Sequence, residues 1–208
     1  MSDLSIHLPS KDGEPTWEAA YLLPTQGRWT EEDYFKFHTN RMAELADGCL
    51  EILPMPTWLH QLIVDFLVTS IKAHLSESQL GGIVLFAPLP TRLFPGTIRE
   101  PDVLFVSPIN IPHDLKSYPK NLDLVMEVVS EGLEARTRDY EAKRRDYAKA
   151  GIAEYWIVDP EQSLITVLAL DDNRYLTLGE YGAGQIAEGR YWNGFTISVD
   201  RMLSIGRS

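Results

Sequence analysis

Cysteine is nearly absent from the chain: Cys49 is the only one in 208 residues. That excludes an internal disulfide and any cysteine-rich zinc site. No stretch approaches the roughly 20 apolar residues that a membrane span needs. The amino-terminal MSDLSIHLPSKDGEPTWEAA lacks the basic-then-apolar pattern of a secretory signal. Basic charge is also scarce, with 19 Lys and Arg against 30 Asp and Glu and a formal net charge of −11. This balance argues against a protein that coats nucleic acid by general electrostatics, but leaves room for a local basic cleft or a bound divalent cation. The five histidines are scattered without metal-ligand spacing. There is no internal repeat, no low-complexity segment and no linker of the kind that separates two domains. These absences point to a soluble cytoplasmic protein that does not associate with membranes.

What is present suffices for one sizeable core, since 44% of the residues are hydrophobic. Residues 1–28, polar and rich in Pro and Gly, are expected to form an irregular arm, and residues 29–208 a single domain. Thr30 followed by Glu31, Glu32 and Asp33 opens a short helix. ELADGCLEILP (44–54) reads as a hairpin turning at Asp47-Gly48. After Pro56-Thr57, a long helix carries Leu59, Leu62, Ile63, Phe66, Leu67, Ile71 and Leu75 at helical spacing, ending before Gly81-Gly82. GIVLFAPLPTRLF (82–94), IREPDVLFVS (98–107), LVMEVVS (124–130) and EYWIVDP (154–160) read as strands, with Pro88 and Pro90 pushing part of the first to an edge or bulge. A charged helix is expected from about Thr137 to Ala150, stopped by Gly151. Strands joined by Gly-rich turns fill the remainder. This order predicts an α/β fold with a mixed β-sheet flanked by helices, an N-terminal hairpin and C-terminal strands. The unit from 122 to 159 should be a right-handed crossover between parallel strands.

Two strands each carry one carboxylate: Asp102 at the start of PDVLFVS and Glu127 inside LVMEVVS. A carboxylate within an apolar run is costly unless paired, because removing an ion from water costs several kcal/mol. If the strands are neighbours the two acids converge and repel, and one pKa rises. A divalent cation removes the conflict, and carboxylates with phosphate and water are how Mg²⁺ is usually held. Lys143, with Asp139 one turn before and Tyr147 one turn after, lies on one stripe of the next helix and can reach the end of the Glu127 strand. An ammonium there would orient an attacking water and stabilise the charge of a phosphoryl transition state. Plainer readings stand beside each. Asp102 would be a solvated strand terminus. Glu127 would pair with Arg92 or Arg136, or face water on an edge strand. Lys143 would belong to a solvated face. His60 would cap or pack, Glu44 would be a hairpin charge, and Cys49 a small buried residue.

PDVLFVS, LVMEVVS, the D-x-x-x-K-x-x-x-Y stripe of Asp139, Lys143 and Tyr147, and GIAEYWIVDP together resemble the Uma-type restriction endonuclease family within the PD-(D/E)XK nuclease superfamily. ELADGCLEI and the helix bearing His60 are similar to that family's hairpin and first helix. The resemblance spans about residues 30–200. It implies a restriction-endonuclease-like core and hydrolysis of DNA phosphodiesters with Mg²⁺ or Mn²⁺. On that resemblance Asp102 is the aspartate of the PD motif and Glu127 the second acid, both metal-binding. The usual lysine two residues after that acid is replaced by Val129, and Lys143 is the matching position on the following helix. Glu44 and His60 correspond to supporting positions. DNA is the implied partner, and a homodimer is expected because cutting both strands commonly takes two active sites. A nuclease-shaped binding or assembly module with little catalysis is the second reading, favoured by the acidic composition. A local basic helix (Arg136, Arg138, Lys143, Arg144, Arg145, Lys149) would supply phosphate contacts under the first. A two-carboxylate glycosidase is a third reading, disfavoured by the apolar strands around both acids and the nearby lysine.

Overall fold

The computed structural model describes residues 22–39 and 41–206. Most of the expected arm, residues 1–21, lies outside the described residues. Its end, 22–28, is docked on the hairpin. The Gln26 side chain donates to Leu50 O (2.7 Å) and accepts from Leu50 N–H (2.8 Å), while Gly27 N–H donates to Gly48 O (2.8 Å).

Thr30 caps α1 (Glu31–Lys36) with a reciprocal capping box closed by Asp33. The hairpin follows, with β1 (Ala43–Ala46) paired antiparallel to β2 (Cys49–Ile52). Asp47 and Gly48 both take positive φ, 50° and 71°, as a tight two-residue turn demands. A Cβ on Gly48 would meet Gly27 O at 2.7 Å, so only glycine fits. Cys49 in this hairpin is exposed, not buried as expected, because it sits at the turn and not in the core.

Thr57 caps α2 (Trp58–Glu77) through His60 N–H. Its inward stripe is Ile63, Val64, Leu67, Val68, Ile71 and Leu75. Leu59 and Leu62, expected on that stripe, are each 43% exposed; they point away from its centre and line a shallow hollow with Trp58 and Met202. The next two expected strands each divide in two. Residues 82–94 become β3 (Ile83–Phe86) and β4 (Thr91–Phe94); residues 98–107 become β5 (Thr97–Arg99) and β6 (Val103–Val106). The breaks fall at Pro88, Pro90 and Pro101, which have no N–H to continue a ladder. At each break the chain changes sheet. β4 and β5 join the hairpin in a four-stranded sheet ordered β2-β1-β5-β4, whereas β3 and β6 enter the central sheet.

LVMEVVS supplies β7 (Leu124–Val128) and EYWIVDP supplies β8 (Glu154–Asp159), paired parallel as the crossover predicts. Between them runs a helix longer than expected: α3 (Leu133–Thr137), a π-helical turn (Arg138–Lys143) and α4 (Arg144–Lys149), ended by Gly151 at φ 78°. β9 (Leu164–Asp171) and β10 (Arg174–Tyr181) complete a six-stranded mixed sheet ordered β10-β9-β8-β7-β6-β3. β11 (Ile186–Glu188) pairs with β12 (Thr196–Ser198), and a short α5 (Val199–Leu203), not expected from the sequence, follows under a Ser198 cap.

Alternation along β6 and β7 feeds two cores. Val103, Phe105, Leu124, Met126 and Val128 meet the α2 stripe on one face. Leu104, Val106, Val125 and Val129 meet Tyr147 and Ala148 of α4 on the other. Each large apolar side chain so buried contributes about 1.5–3 kcal/mol. Period-two geometry therefore aims Glu127, between Val125 and Val129, at the helix that carries Tyr147.

Candidate active site

β6 and β7 run antiparallel with Val103 opposite Met126, so the next pair along the ladder is Asp102 and Glu127. This is where the chain leaves the small sheet, and side chains take over the ladder. Val128 N–H donates to Asp102 Oδ2 (2.8 Å), and Asp102 N–H donates to Glu127 Oε2 (3.3 Å). Both acids are buried, at 8% and 1% exposure. The solvated-terminus reading of Asp102 and the edge-strand reading of Glu127 are both overturned. So are the arginine pairings, since Arg92 binds Glu31 and Arg136 binds Asp159 and Glu161.

The partners of Glu127 come from the crossover helix. Lys143 Nζ lies 2.9 Å from Glu127 Oε1, and Tyr147 O–H donates to the same oxygen. Lys143 is itself buried and also faces Asp139 Oδ1 (3.4 Å) and Glu44 Oε1 (3.5 Å). Glu44, fully buried on β1, is no hairpin ornament. It accepts from Glu100 N–H (3.0 Å) and from Arg99 (2.7 Å), and Arg99 in turn binds Asp146 of α4 (2.6 Å). His60 Nε2 is 3.2 Å from Asp102 Oδ2. The structure thus brings Asp102, Glu127, Lys143, Glu44, His60, Asp139 and Tyr147 to one place. Two participants carried no signal in the sequence reading, Glu100 and Arg99. Their place in REPD, immediately before Asp102, was the available clue.

The electrostatics follow from acids outnumbering bases in a dry site. Burial alone would raise Glu44, but Lys143 and Arg99 outweigh it and hold its carboxyl at about 2. Burial likewise opposes ionisation of Asp102, yet His60, Lys143 and the Val128 N–H keep it below the ordinary value. Glu127 goes the other way. Burial, with Asp102, Asp139 and Glu44 nearby, pushes it well up despite Lys143. Burial also raises Asp139 and Glu100. Burial would lower Lys143, but Glu127, Glu44 and Asp139 overcome it and keep the ammonium charged. One lysine serves three carboxylates, so Glu127 is left short of positive charge.

That shortage fits a divalent cation. Glu100, which lines the same cleft of about 30 Å³, has its Oε2 buried without a hydrogen-bond partner among the described residues, and Asp139 Oδ1 there has only long ion pairs, to Lys143 (3.4 Å) and Arg138 (3.6 Å). Buried polar atoms are rarely left so, and an ion or water is the usual reason. Among the described residues no three His, Cys, Asp or Glu side chains form a ready-made cage. Two carboxylates with solvent and phosphate is, however, how Mg²⁺ is commonly held. The expected basic face of the crossover helix is not free. Arg138 binds Glu51, Arg144 binds Tyr175 O, Arg145 faces Asp47 and Asp146, and Lys149 caps the Phe94 ring. No described helix is long and apolar enough to cross a membrane.

No curated protein matches the chain. Among solved structures, a protein described as "a putative nuclease belonging to DUF820", from Anabaena variabilis ATCC 29413, has the same fold: TM-score 0.68 at 17% identity, over 84% of this chain and 97% of that one. The profile of the Uma2 family matches residues 29–200, nearly the whole span between the arm and the last turn. With the mixed sheet, the acid pair on adjacent strands and that match, the chain belongs to the Uma2 family, described as "Putative restriction endonuclease".

Proposed function

We propose that the protein is a metal-dependent endonuclease that hydrolyses DNA phosphodiesters, with residues 29–208 as its working domain and Asp102, Glu127 and Lys143 as its catalytic residues. The observation that carries this is the juxtaposition of Asp102 and Glu127 at the rim of the central sheet, with Lys143 Nζ 2.9 Å from Glu127. Family membership supports the hydrolytic reading. Asp102 and Glu127 would hold Mg²⁺ or Mn²⁺. When bound, the cation supplies Lewis acidity, screening the phosphoryl charge and easing deprotonation of an attacking water.

The chain's own residues do the rest. His60 and the Val128 N–H both engage Asp102 Oδ2, so Oδ1 is the oxygen left for a ligand. Tyr147 and Lys143 fix Glu127 Oε1, whereas Oε2 accepts only the Asp102 N–H (3.3 Å) and keeps a lone pair for a ligand. Lys143, always charged here, orients water and stabilises negative charge gathering on phosphorus oxygens. Glu44 and Asp139 hold that ammonium in place. The cleft takes an ion and a water, not a nucleotide, so the phosphate sits at its mouth.

A catalytically weak binding module remains the second reading. It is favoured by the engagement of the crossover helix's arginines in protein contacts and by the net charge of −11. Incubation with supercoiled plasmid and Mg²⁺ or Mn²⁺ separates the two. The nuclease nicks or linearises it, or cuts single-stranded DNA offered beside it, and Asp102→Ala and Glu127→Ala proteins do neither; plasmid and single-stranded DNA both left intact under both metals refute the nuclease.

A further inference from the structure

Glu100 lines two hollows. One is the cleft just described; the other, on the far side of its carboxylate, is a cavity of about 270 Å³ between α1 and the loop bearing Tyr118. The walls of this second cavity are aromatic. Phe35 and Tyr118 stack with ring centres 5.0 Å apart and planes 23° from parallel, and Tyr34 meets Phe35 edge-on at 5.2 Å. Phe35 and Tyr118 are 38% and 46% exposed, so a stack is begun at the surface and left open. His38 and Arg41 lie at the rim, both exposed, and Arg41 has no ion pair among the described residues. At the floor, Glu100 is 5% exposed. Its Oε1 accepts from Tyr34 O–H (3.1 Å) and Ala43 N–H (3.3 Å), while its Oε2 has no partner among the described residues.

Aromatic faces, one free arginine and a single unused acceptor are the parts from which proteins build sites for an unpaired nucleobase and its phosphate. We propose that this cavity binds one base of the nucleic acid substrate. The ring extends the Phe35–Tyr118 stack, a ring N–H or exocyclic amino group donates to Glu100, and Arg41 contacts the neighbouring phosphate. The inference rests on the nuclease reading and deepens it. Because Glu100 is shared, a base held there sits one side chain away from the cleft, and the phosphate next to it is delivered to Asp102 and Glu127. A base stacked in a duplex cannot enter, so frayed, gapped or single-stranded DNA is the favoured substrate.

The test measures binding without chemistry. The full chain, in chelator, is titrated into a short single-stranded oligonucleotide with one 2-aminopurine, and into the same oligonucleotide with an abasic site there. Stacking quenches the fluorophore, and the abasic version binds about tenfold more weakly, as loss of one base–aromatic contact does. Tyr118→Ala abolishes the quenching, and Tyr118→Ala and Arg41→Gln, both at exposed positions, each weaken binding by a similar factor. Plasmid cleavage, followed separately with metal, reports on the catalytic reading alone. If affinity is indifferent to the abasic site and to Tyr118→Ala, the base site is refuted even where the plasmid is cut.

Discussion

Glu127 is a carboxylate whose ionisation the fold resists strongly, and its pH behaviour tests the crowding of acids around Lys143. With its pKa raised in the folded state, folded protein retains a proton that the unfolded chain releases. Stability from this group is full below about 4.5, its ordinary value, and is lost as pH rises through the folded pKa. Glu44 runs oppositely. Its contribution is full above about 4.5 and is lost as pH falls toward about 2. Glu127→Gln removes the first slope only, so urea denaturation on the alkaline side of 4.5 should show a flatter profile than wild type. Parallel profiles would mean that Glu127 ionises freely. Lys143→Met makes the complementary change. It strips the ammonium from three buried carboxylates, and breaking such a pairing typically costs about 3–5 kcal/mol. Excess Mg²⁺ should restore part of that loss in the same denaturation experiment, because the cation relieves the same repulsion. A Lys143→Met protein as stable as wild type would show that the acids do not depend on the amine.

At the scale of elements, the site is assembled where the two sheets exchange the chain. Pro88, Pro90 and Pro101 end ladders, Arg99 finishes β5, and Asp102 begins the turn into β6. Arg99 is the clamp across this junction, bridging Glu44 of the hairpin sheet and Asp146 of α4. Arg99→Met leaves Glu44 with only the more distant Lys143 and Asp146 with only the exposed Arg145. It should cost about 3–5 kcal/mol in chemical denaturation and reduce plasmid cleavage, whereas Arg99→Lys, keeping the charge but not the fork, should recover only part of either. Full stability in Arg99→Met would remove the clamp from the account. The elements themselves were largely legible. The Asp47-Gly48 turn, the capped starts of α1 and α2, and the apolar runs of β7 and β8 announce themselves by local chemistry. What stayed hidden was the division of 82–94 and 98–107 between two sheets. Prolines mark the breaks, but which sheet each half joins is decided by contacts far along the chain. The early start of the crossover helix and its π-helical turn were hidden for the same reason, as was the exposure of Leu59 and Leu62.

At the scale of the molecule, Glu127 stands out in the sequence because a carboxylate is expensive to bury and therefore conspicuous in an apolar run, whereas Lys143, inside the charged YEAKRRDYAKAG, is marked only by its helical spacing and by the family resemblance. Glu100 and Arg99 were not legible, since their roles depend on the hairpin and α4 folding against them. The net charge of −11 and the engagement of the crossover arginines leave few free cations to meet a phosphate backbone. DNA binding should accordingly show a shallow salt dependence, with a log–log slope corresponding to only a few phosphates. Fluorescence anisotropy across a salt series measures it, and a steep slope would reveal a basic surface this fold does not display. A homodimer would bring two clefts to one duplex; if it forms, linear product should rise more steeply than protein concentration. The central claim, that Asp102 and Glu127 share one cation, is tested most directly by calorimetric titration of Mn²⁺ into the wild-type, Asp102→Asn and Glu127→Gln proteins. The account predicts one ion per chain in the wild type and no measurable binding in either variant; equal binding in all three would contradict it.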